Sequence, residues 1–253
     1  MCVCENSKND NPELKTEMCM PLTSITTPNP WTMLTTDNIA QCDQPFFNKY
    51  GGVTSYQNLI NSQKFHPDLD FSCLPDPFCG DPKSNVFCLN KNPGKPDKCF
   101  IGDNDFEEAT KYNLALKQKS CFWAEGINNT GKVHDGVEWL TKRTRVLKGI
   151  LGRHPNIFFV EYFPYHSSSG FDFPCDLPSY TFTNELVLQA MKDGKMVIIM
   201  REKRNWLKRI PGLENYKNLY TLKYAQSGYL TLNNVVKMDT GQNLTEDKVK
   251  QYF

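Results

Sequence analysis

Ser84–Gly94 has the sequence SNVFCLNKNPG. Its first half contains four consecutive apolar residues, Val86–Leu89, and the chain turns polar at Asn90 before the pair Pro93-Gly94. A short apolar run that ends in a Pro-Gly turn is typical of a buried strand. In open α/β sheets, ligands bind beyond the carboxyl ends of the strands. The segment therefore predicts a buried strand followed either by a ligand site or by a turn that only ends the strand.

Three further segments resemble strands, and helical patterns lie between the four. Met196–Met200, with the sequence MVIIM, is apolar on both faces, which suits a central strand covered by helices on both sides. This alternation predicts a three-layer α/β/α sandwich with a central, mainly parallel four-stranded sheet. The predicted strands are Val86–Leu89, Ile157–Tyr162, Met196–Met200 and Leu219–Tyr224, and the predicted helices are Phe106–Lys119, Gly136–Leu151, Thr183–Lys192 and Asn205–Ile210.

The predicted α/β domain occupies residues 85–235. Residues 1–30 are polar and interrupted by prolines, which predicts a mobile N-terminal arm. Residues 31–84 carry scattered aromatic side chains among prolines. We expect them to form an irregular extension packed on the core, with a short helix near Ser55–Ser62. Residues 236–253 are predicted to form a C-terminal tail.

The charge and hydropathy of the chain argue mainly against a membrane protein. The chain has 253 residues with 29 basic and 28 acidic side chains, so its net charge of +1 does not by itself predict nucleic-acid binding. No apolar run reaches the roughly 18 residues of a membrane span, and the first residues lack the pattern of a signal peptide. We therefore expect a soluble cytoplasmic protein without a membrane partner.

The chain contains ten cysteines, and none of them forms a CxxC pair or has zinc-finger spacing to a histidine. A disulfide framework is not expected without a secretory signal. Cys2, Cys4 and Cys19 could hold a metal or a cluster, or they could be free thiols on the arm. No other motif predicts a metal, and no cofactor is expected.

Residues suited to a site follow the second predicted strand, in the sequence EYFPYHSSSG. Glu161 lies near the strand end, and burial there would raise its pKa. His166 follows it and could act as a general acid or base near neutral pH. Phe163 and Tyr165 supply aromatic faces between the two. The alternative for His166 is an ordinary hydrogen-bonded surface histidine.

A basic segment follows the third predicted strand, in the sequence REKRNWLKR. It would attract phosphate groups, above all near a helix N-terminus. The alternative is a solvated helix face whose apolar side chains pack inward. The side chains predicted to contact a nucleic-acid backbone are Arg201, Lys203, Arg204 and Lys208.

A small polar turn follows the fourth predicted strand, in the sequence AQSGYL. Gln226 and Ser227 form the polar part of this turn. Leu230 follows them, and an apolar side chain on a loop beside a basic groove can wedge into a base stack. Ordinary packing of Leu230 in the core is the alternative interpretation.

The order of these features resembles the uracil-DNA glycosylase superfamily, in the branches whose first motif carries Asn-Pro-Gly. Those branches include the mismatch-specific thymine/uracil glycosylases and the single-strand-selective enzymes. The resemblance covers roughly Asn85 to Val235. The segments PDPFCGDPKSNVFCLNKNPG and FFVEYFPYHS also resemble an uncharacterised bacterial family associated with this fold. The resemblance implies that the chain binds DNA or a nucleotide.

The resemblance also implies roles for individual residues. Asn92 falls at the position that orients or activates the attacking water, and Glu161 falls where many members place an asparagine that reads the uracil edge. Leu230 falls near the wedge position. The residues predicted to act in catalysis are Asn92 and His166, and those predicted to contact the substrate are Asn90, Lys91, Pro93, Gly94, Glu161, Phe163, Tyr165, Gln226 and Ser227.

Two departures from the superfamily pattern open alternatives. The second motif usually begins with a histidine that stabilises the departing base, and AQSG has none, so His166 would have to replace it. An ionised Glu161 would accept hydrogen bonds where an amide both donates and accepts. The sequence therefore leaves three hypotheses: a DNA N-glycosylase, a non-catalytic nucleotide- or nucleic-acid-binding module, and a small-molecule hydrolase that uses Glu161 and His166 as an acid–base pair.

Overall fold

A computed structural model describes residues 25–127 and 131–253. Cys2, Cys4 and Cys19 lie outside the described residues, and so does most of the predicted arm. The α/β class is confirmed within the described ranges. The helices are α1 (Gln44–Asn48), α2 (Val53–Asn61), α3 (Asn104–Leu114), α4 (Asp135–Leu151), α5 (Tyr180–Lys192), α6 (Lys203–Arg209) and α7 (Glu246–Tyr252). The strands are β1 (Phe78–Cys79), β2 (Val86–Leu89), β3 (Phe158–Val160), β4 (Met196–Ile199), β5 (Leu219–Leu222) and β6 (Val235–Lys237).

The described strands form one six-stranded sheet in the order β1-β3-β2-β4-β5-β6. The four predicted strands are its inner strands, and neighbours among them pair in parallel. The prediction of a four-stranded sheet is wrong, because β1 and β6 add antiparallel pairs at the two edges. Both edge strands are only two or three residues long. Tertiary contacts rather than sequence pattern determine such short pairings.

The inner strands are buried on both faces, as their continuous apolar runs predict. Alternate residues face opposite sides of a sheet: Phe87 and Leu89 pack in one hydrophobic cluster, while Val86 and Cys88 pack in another. Apolar residues of α1, α2 and α5 complete the first cluster, and those of α4 and α7 complete the second. Helices therefore cover both faces of the sheet.

The helix boundaries differ from the predicted ones at several helix starts and, by five residues, at the end of α3. The predicted start of α5 at Thr183 is wrong, because the helix begins at Tyr180 after Ser179. Both the backbone N–H and the hydroxyl of Ser179 donate to the buried carboxylate of Asp43, at 2.8 and 2.7 Å. Asp43 lies in the N-terminal extension, so a side chain distant in sequence fixes the start of this helix.

The N-terminal extension is part of the same core. Trp31 and Phe47 are almost fully buried in the first cluster, and β1 comes from the extension. Two backbone N–H groups of the extension donate to the segment after β3: Asp70 to the carbonyl of His166 at 2.9 Å and Asp76 to that of Pro164 at 3.0 Å. These bonds place residues 66–77 beside the carboxyl end of the sheet.

Candidate functional site

A cleft of about 680 Å³ lies at the carboxyl ends of the inner strands. Asn90, Glu161 and Arg201 follow β2, β3 and β4, and all three line the cleft. They meet there because parallel strands place their carboxyl ends at one edge of the sheet. The volume lies within the range of about 300–1,000 Å³ that is typical of small-molecule sites. The cleft is therefore our candidate functional site.

Glu161 is the most perturbed acid in the cleft. Its pKa is raised from 4.5 to about 8, mainly by burial and in smaller part by the nearby Asp76 carboxylate, while the hydrogen bond from Asn90 and the charge of Arg201 act in the opposite direction. The amide nitrogen of Asn90 donates to Glu161 Oε1 at 3.0 Å. Glu161 Oε2 is buried and has no hydrogen-bond partner among the described residues. A proton on Oε2 would remove the unpaired charge, so at neutral pH Glu161 is a hydrogen-bond donor.

Asp76 is a second buried acid in the cleft wall. Burial raises its pKa from 3.8 to about 7. Its backbone is fixed by the bond to Pro164, and its carboxylate accepts a bond of 3.4 Å from Asn113. Sequence analysis missed Asp76 because it lies in the extension and follows no predicted strand. The proline on each side of it was the available signal, since prolines restrict the backbone around a fixed polar residue.

The Asn-Pro-Gly turn forms one wall of the cleft, with Asn92, Pro93 and Gly94 all in contact with it. The amide nitrogen of Asn92 donates to the carbonyl and the hydroxyl of Ser167, at 2.9 and 3.0 Å. These bonds fix the side-chain orientation, and Asn92 Oδ1 has no partner among the described residues. Asn92 therefore presents an acceptor oxygen with which it can hold a water.

Lys91 and Arg201 supply positive charge to the cleft. Lys91 Nζ lies 3.9 Å from a carboxylate oxygen of Glu202 and 5.7 Å from the ring centre of Phe173. Arg201 donates to the carbonyl of Gln226 at 3.0 Å. Both cations are only partly exposed, so their attraction for an anion is screened less than that of surface lysines.

The remaining wall is aromatic and includes the start of α4. Trp123, Trp139 and Phe159 line the cleft, and both tryptophans are partly exposed, so they offer faces on which a planar ligand can stack. His134, the N-cap residue of α4, also lines it. Its Nδ1 accepts from the backbone N–H of Gly136 at 3.1 Å, and burial lowers its pKa. The neutral ring then carries its proton on Nε2. The sequence showed no periodic or strand-end signal for His134.

The predicted role of His166 does not fit its position. His166 does not line the cleft with Asn92 and Glu161. Its Nδ1 lies 3.1 Å from the carbonyl of Gly94, and its Nε2 lies 3.2 Å from that of Leu74. Burial lowers its pKa to about 4. His166 therefore connects the Asn-Pro-Gly turn to the extension. It does not share the cleft with Glu161, so the two side chains do not form an acid–base pair there.

Phe163 and Tyr165 are not placed to stack on a ligand in the cleft. Both are almost fully buried in the first hydrophobic cluster. The ring of Phe163 stacks on Phe173 at a centroid distance of 5.0 Å, and the hydroxyl of Tyr165 donates to Asp43 at 2.7 Å. The extension covers Tyr165 through Trp31, Phe47 and Phe71, whereas Phe163 packs against Phe171 and Phe173 of its own segment. Strand-end reasoning takes neither contact into account.

The loop after β5 contributes less than predicted. Leu230 is fully buried in the second cluster, so it is not exposed as a wedge. Ser227 donates to the carbonyl of Tyr224 at 2.8 Å and does not line the cleft. Gln226 also does not line it, and it approaches the site only through its carbonyl bond to Arg201.

The basic segment is divided between surface and core. Lys203, Arg204 and Lys208 are exposed on α6 and lie outside the cleft lining. Arg209 is instead a core residue: its guanidinium lies about 4 Å from the ring centres of Tyr162, Tyr180 and Trp206, and it donates to the carbonyl of Tyr162 at 2.8 Å. Of the predicted cations after β4, the cleft contains only Arg201.

Comparisons of this chain with protein-family models, with curated proteins and with solved structures found no match. The resemblance to the uracil-DNA glycosylase superfamily therefore rests on the motif and on the order of elements alone. Within the described residues, no group of three or more His, Cys, Asp or Glu side chains could hold a metal ion. No helix in the described ranges is long and apolar enough to cross a membrane.

Proposed function

We propose that this chain hydrolyses the N-glycosidic bond of a damaged or modified base in DNA, and that its fold is the three-layer α/β/α sandwich of the uracil-DNA glycosylases. The observation that supports this most is the shared cleft of Asn92 and Glu161. One offers an acceptor oxygen for a water, and the other offers a proton at neutral pH. A positioned nucleophile and a proton donor for the leaving base both accelerate hydrolysis of this bond.

In the proposed reaction, the target base is rotated out of its stack into the cleft and lies between the partly exposed tryptophans. Asn92 Oδ1 holds the water that attacks the sugar carbon. As the carbon–nitrogen bond breaks, its electron pair moves to the base, which takes the proton of Glu161. The attacking water gives its proton to the carboxylate form of Asp76. Two acids with raised but different pKa values suit this division of roles.

His134 replaces His166 in this proposal. A neutral imidazole with its proton on Nε2 can donate to a carbonyl oxygen of the departing base without itself titrating. Lys91 and Arg201 would hold the flanking phosphates. The exposed side chains of α6, Lys203, Arg204 and Lys208, would add only a weaker, salt-sensitive attraction for DNA.

The experiment is a base-excision assay. Single- and double-stranded oligonucleotides that carry uracil, hypoxanthine, xanthine or an alkylated base are incubated with the protein, and abasic sites are measured by alkaline cleavage. We expect Asn92→Ala to reduce the rate about 100-fold or more, as loss of a positioning group does. Asn58→Ala, at an exposed position on α2, is the matched control and should keep the full rate.

The second candidate is a non-catalytic nucleotide- or nucleic-acid-binding module of the same fold. It is favoured by the loop after β5, which places no side chain in the cleft. Salt-sensitive binding of the oligonucleotides without abasic product on any of them would select this candidate. Absence of both binding and product would contradict both candidates.

A further inference from the structure

A second cavity, of about 610 Å³, adjoins the cleft. Asp76, Trp123 and His134 line both cavities, so they form the shared boundary. We call this second cavity the side chamber. It lies between the N-terminal extension and α3, and one of its walls is the segment that brings Asp76 to the cleft.

Most of the side-chamber wall is apolar. The extension contributes tryptophan and leucine side chains, and α3 with the turn before it contributes phenylalanines and a leucine. The rest of the lining is polar or charged and includes Asp97, Glu107, Lys111 and His166, so an apolar group gains binding free energy where it displaces water from the apolar side. The apolar residues that form this wall are Trp31, Leu34, Leu74, Phe100, Phe106 and Leu114.

One polar group in the chamber wall lacks a partner. Trp31 is 1% exposed, and its indole Nε1 is buried without a hydrogen-bond partner among the described residues. Buried N–H groups are almost always paired in native proteins, and an unpaired one costs about 1–3 kcal/mol. Because this nitrogen has almost no accessible surface, an acceptor atom of a ligand at this wall would pair it only after the Trp31 ring shifts.

We propose that the side chamber receives an apolar substituent of the base held in the cleft, so that the substrates are bases with a bulky aryl or alkyl adduct. This inference rests on the proposed function, because the base itself occupies the glycosylase cleft. The shared boundary supports one continuous ligand, since Asp76, Trp123 and His134 contact both spaces. An unsubstituted pyrimidine would leave the chamber empty.

The test compares free bases that differ only in the substituent. Binding of guanine, O6-benzylguanine and O6-(4-acetylbenzyl)guanine to the full chain is measured by calorimetry or equilibrium dialysis. We expect the benzyl group to tighten binding about tenfold or more, from its buried apolar area. Ala115→Trp, at a position that lines the chamber, should remove this gain and leave guanine binding unchanged. Ala109→Trp, on α3 but outside the lining, is the control and should keep the gain.

Trp31→Phe tests the unpaired N–H separately. It keeps an apolar ring, so the gain from benzyl should persist, while any additional affinity from the acetyl oxygen should disappear. If the benzyl group gives no gain, or if Ala115→Trp leaves the gain intact, the side-chamber proposal is wrong even when guanine binds and excision occurs. If benzylated guanine binds through the chamber but no base is excised from any oligonucleotide, the chamber inference survives and the glycosylase function fails.

Discussion

Replacement of Glu161 by glutamine should make the protein more stable at alkaline pH. The native protein holds a proton on Glu161 up to a pKa of about 8, whereas the unfolded chain releases it near the ordinary value of 4.5. The native state therefore binds more protons between these two values, so this group lowers the free energy of unfolding as pH rises. The contribution of Glu161 to the free energy of unfolding is therefore fully present below pH 4.5, and it is lost as the pH increases through about 8.

The magnitude follows from the two pKa values. At 1.36 kcal/mol for each pH unit between 4.5 and about 8, the wild-type protein loses at most about 5 kcal/mol from this group. Glutamine has the shape of the protonated acid and keeps an oxygen for the 3.0 Å bond from Asn90. We therefore expect Glu161→Gln to match the wild type near pH 5 and to exceed its stability by several kcal/mol near pH 9.

Urea denaturation from pH 5 to pH 9 measures this difference, followed by tryptophan fluorescence and circular dichroism. The titrations of the buried thiols occur in both proteins and largely cancel in the comparison, whereas the coupling between Asp76 and Glu161 is part of the measured difference. Glu108→Gln, at an exposed position on α3, is the control and should run parallel to the wild type. The reasoning fails if Glu161→Gln also runs parallel, or if it is already destabilised by several kcal/mol at pH 5.

Two other predictions test the surroundings of the cleft. Leu230→Ala should lower the free energy of unfolding by about 2–5 kcal/mol in urea denaturation, because Leu230 is fully buried. Tyr229→Ala, at the neighbouring side chain that is 43% exposed, should lower it far less. Unchanged stability of Leu230→Ala together with lost activity on duplex DNA would restore the wedge interpretation. Gly170→Ala should weaken ligand binding in the cleft, since a Cβ at Gly170 would overlap Lys91 Nζ and Cε and the flexible lysine would move away. The free energy of unfolding should change by less than about 1 kcal/mol. Equal binding by the variant and the wild type would show that Lys91 does not hold the ligand.

The inner strands were predictable because burial on both faces leaves a direct mark on the sequence. Val86–Leu89 was located to the residue, since its apolar run ends at a polar turn. The second strand was predicted three residues too long, because it begins at Phe158 and ends at Val160. The backbone N–H of Glu161 still bonds to the carbonyl of Pro77 in register with β1, but Pro77 has no N–H with which to continue the ladder. The two edge strands could not be predicted, because their pairing depends on neighbours that are distant in the chain.

The site was predictable only where it follows from strand topology. Asn90, Glu161 and Arg201 were found because each directly follows an inner strand, and parallel pairing brings such positions together. Asp76 and His134 reach the cleft from an irregular segment and from a helix start, and no sequence period marks either position. The aromatic residues after β3 had the right chemistry for stacking, but the extension covers Tyr165, and Phe171 and Phe173 cover Phe163.

The predicted domain boundary at residue 84 therefore cuts through the candidate functional site, because residues on both sides of this boundary contribute to the site. Residues 66–77 donate backbone hydrogen bonds to the segment after β3, and in return Ser168 donates to the carbonyl of Pro67 at 2.8 Å. The same segment provides Asp76, whose charge helps to raise the pKa of Glu161. A chain that began at residue 85 would keep Asn92 and Glu161 but would lose β1, Asp76 and a wall of both cavities. The extension thus contributes, through Asp76, to the raised pKa of the acid on which the proposed chemistry depends.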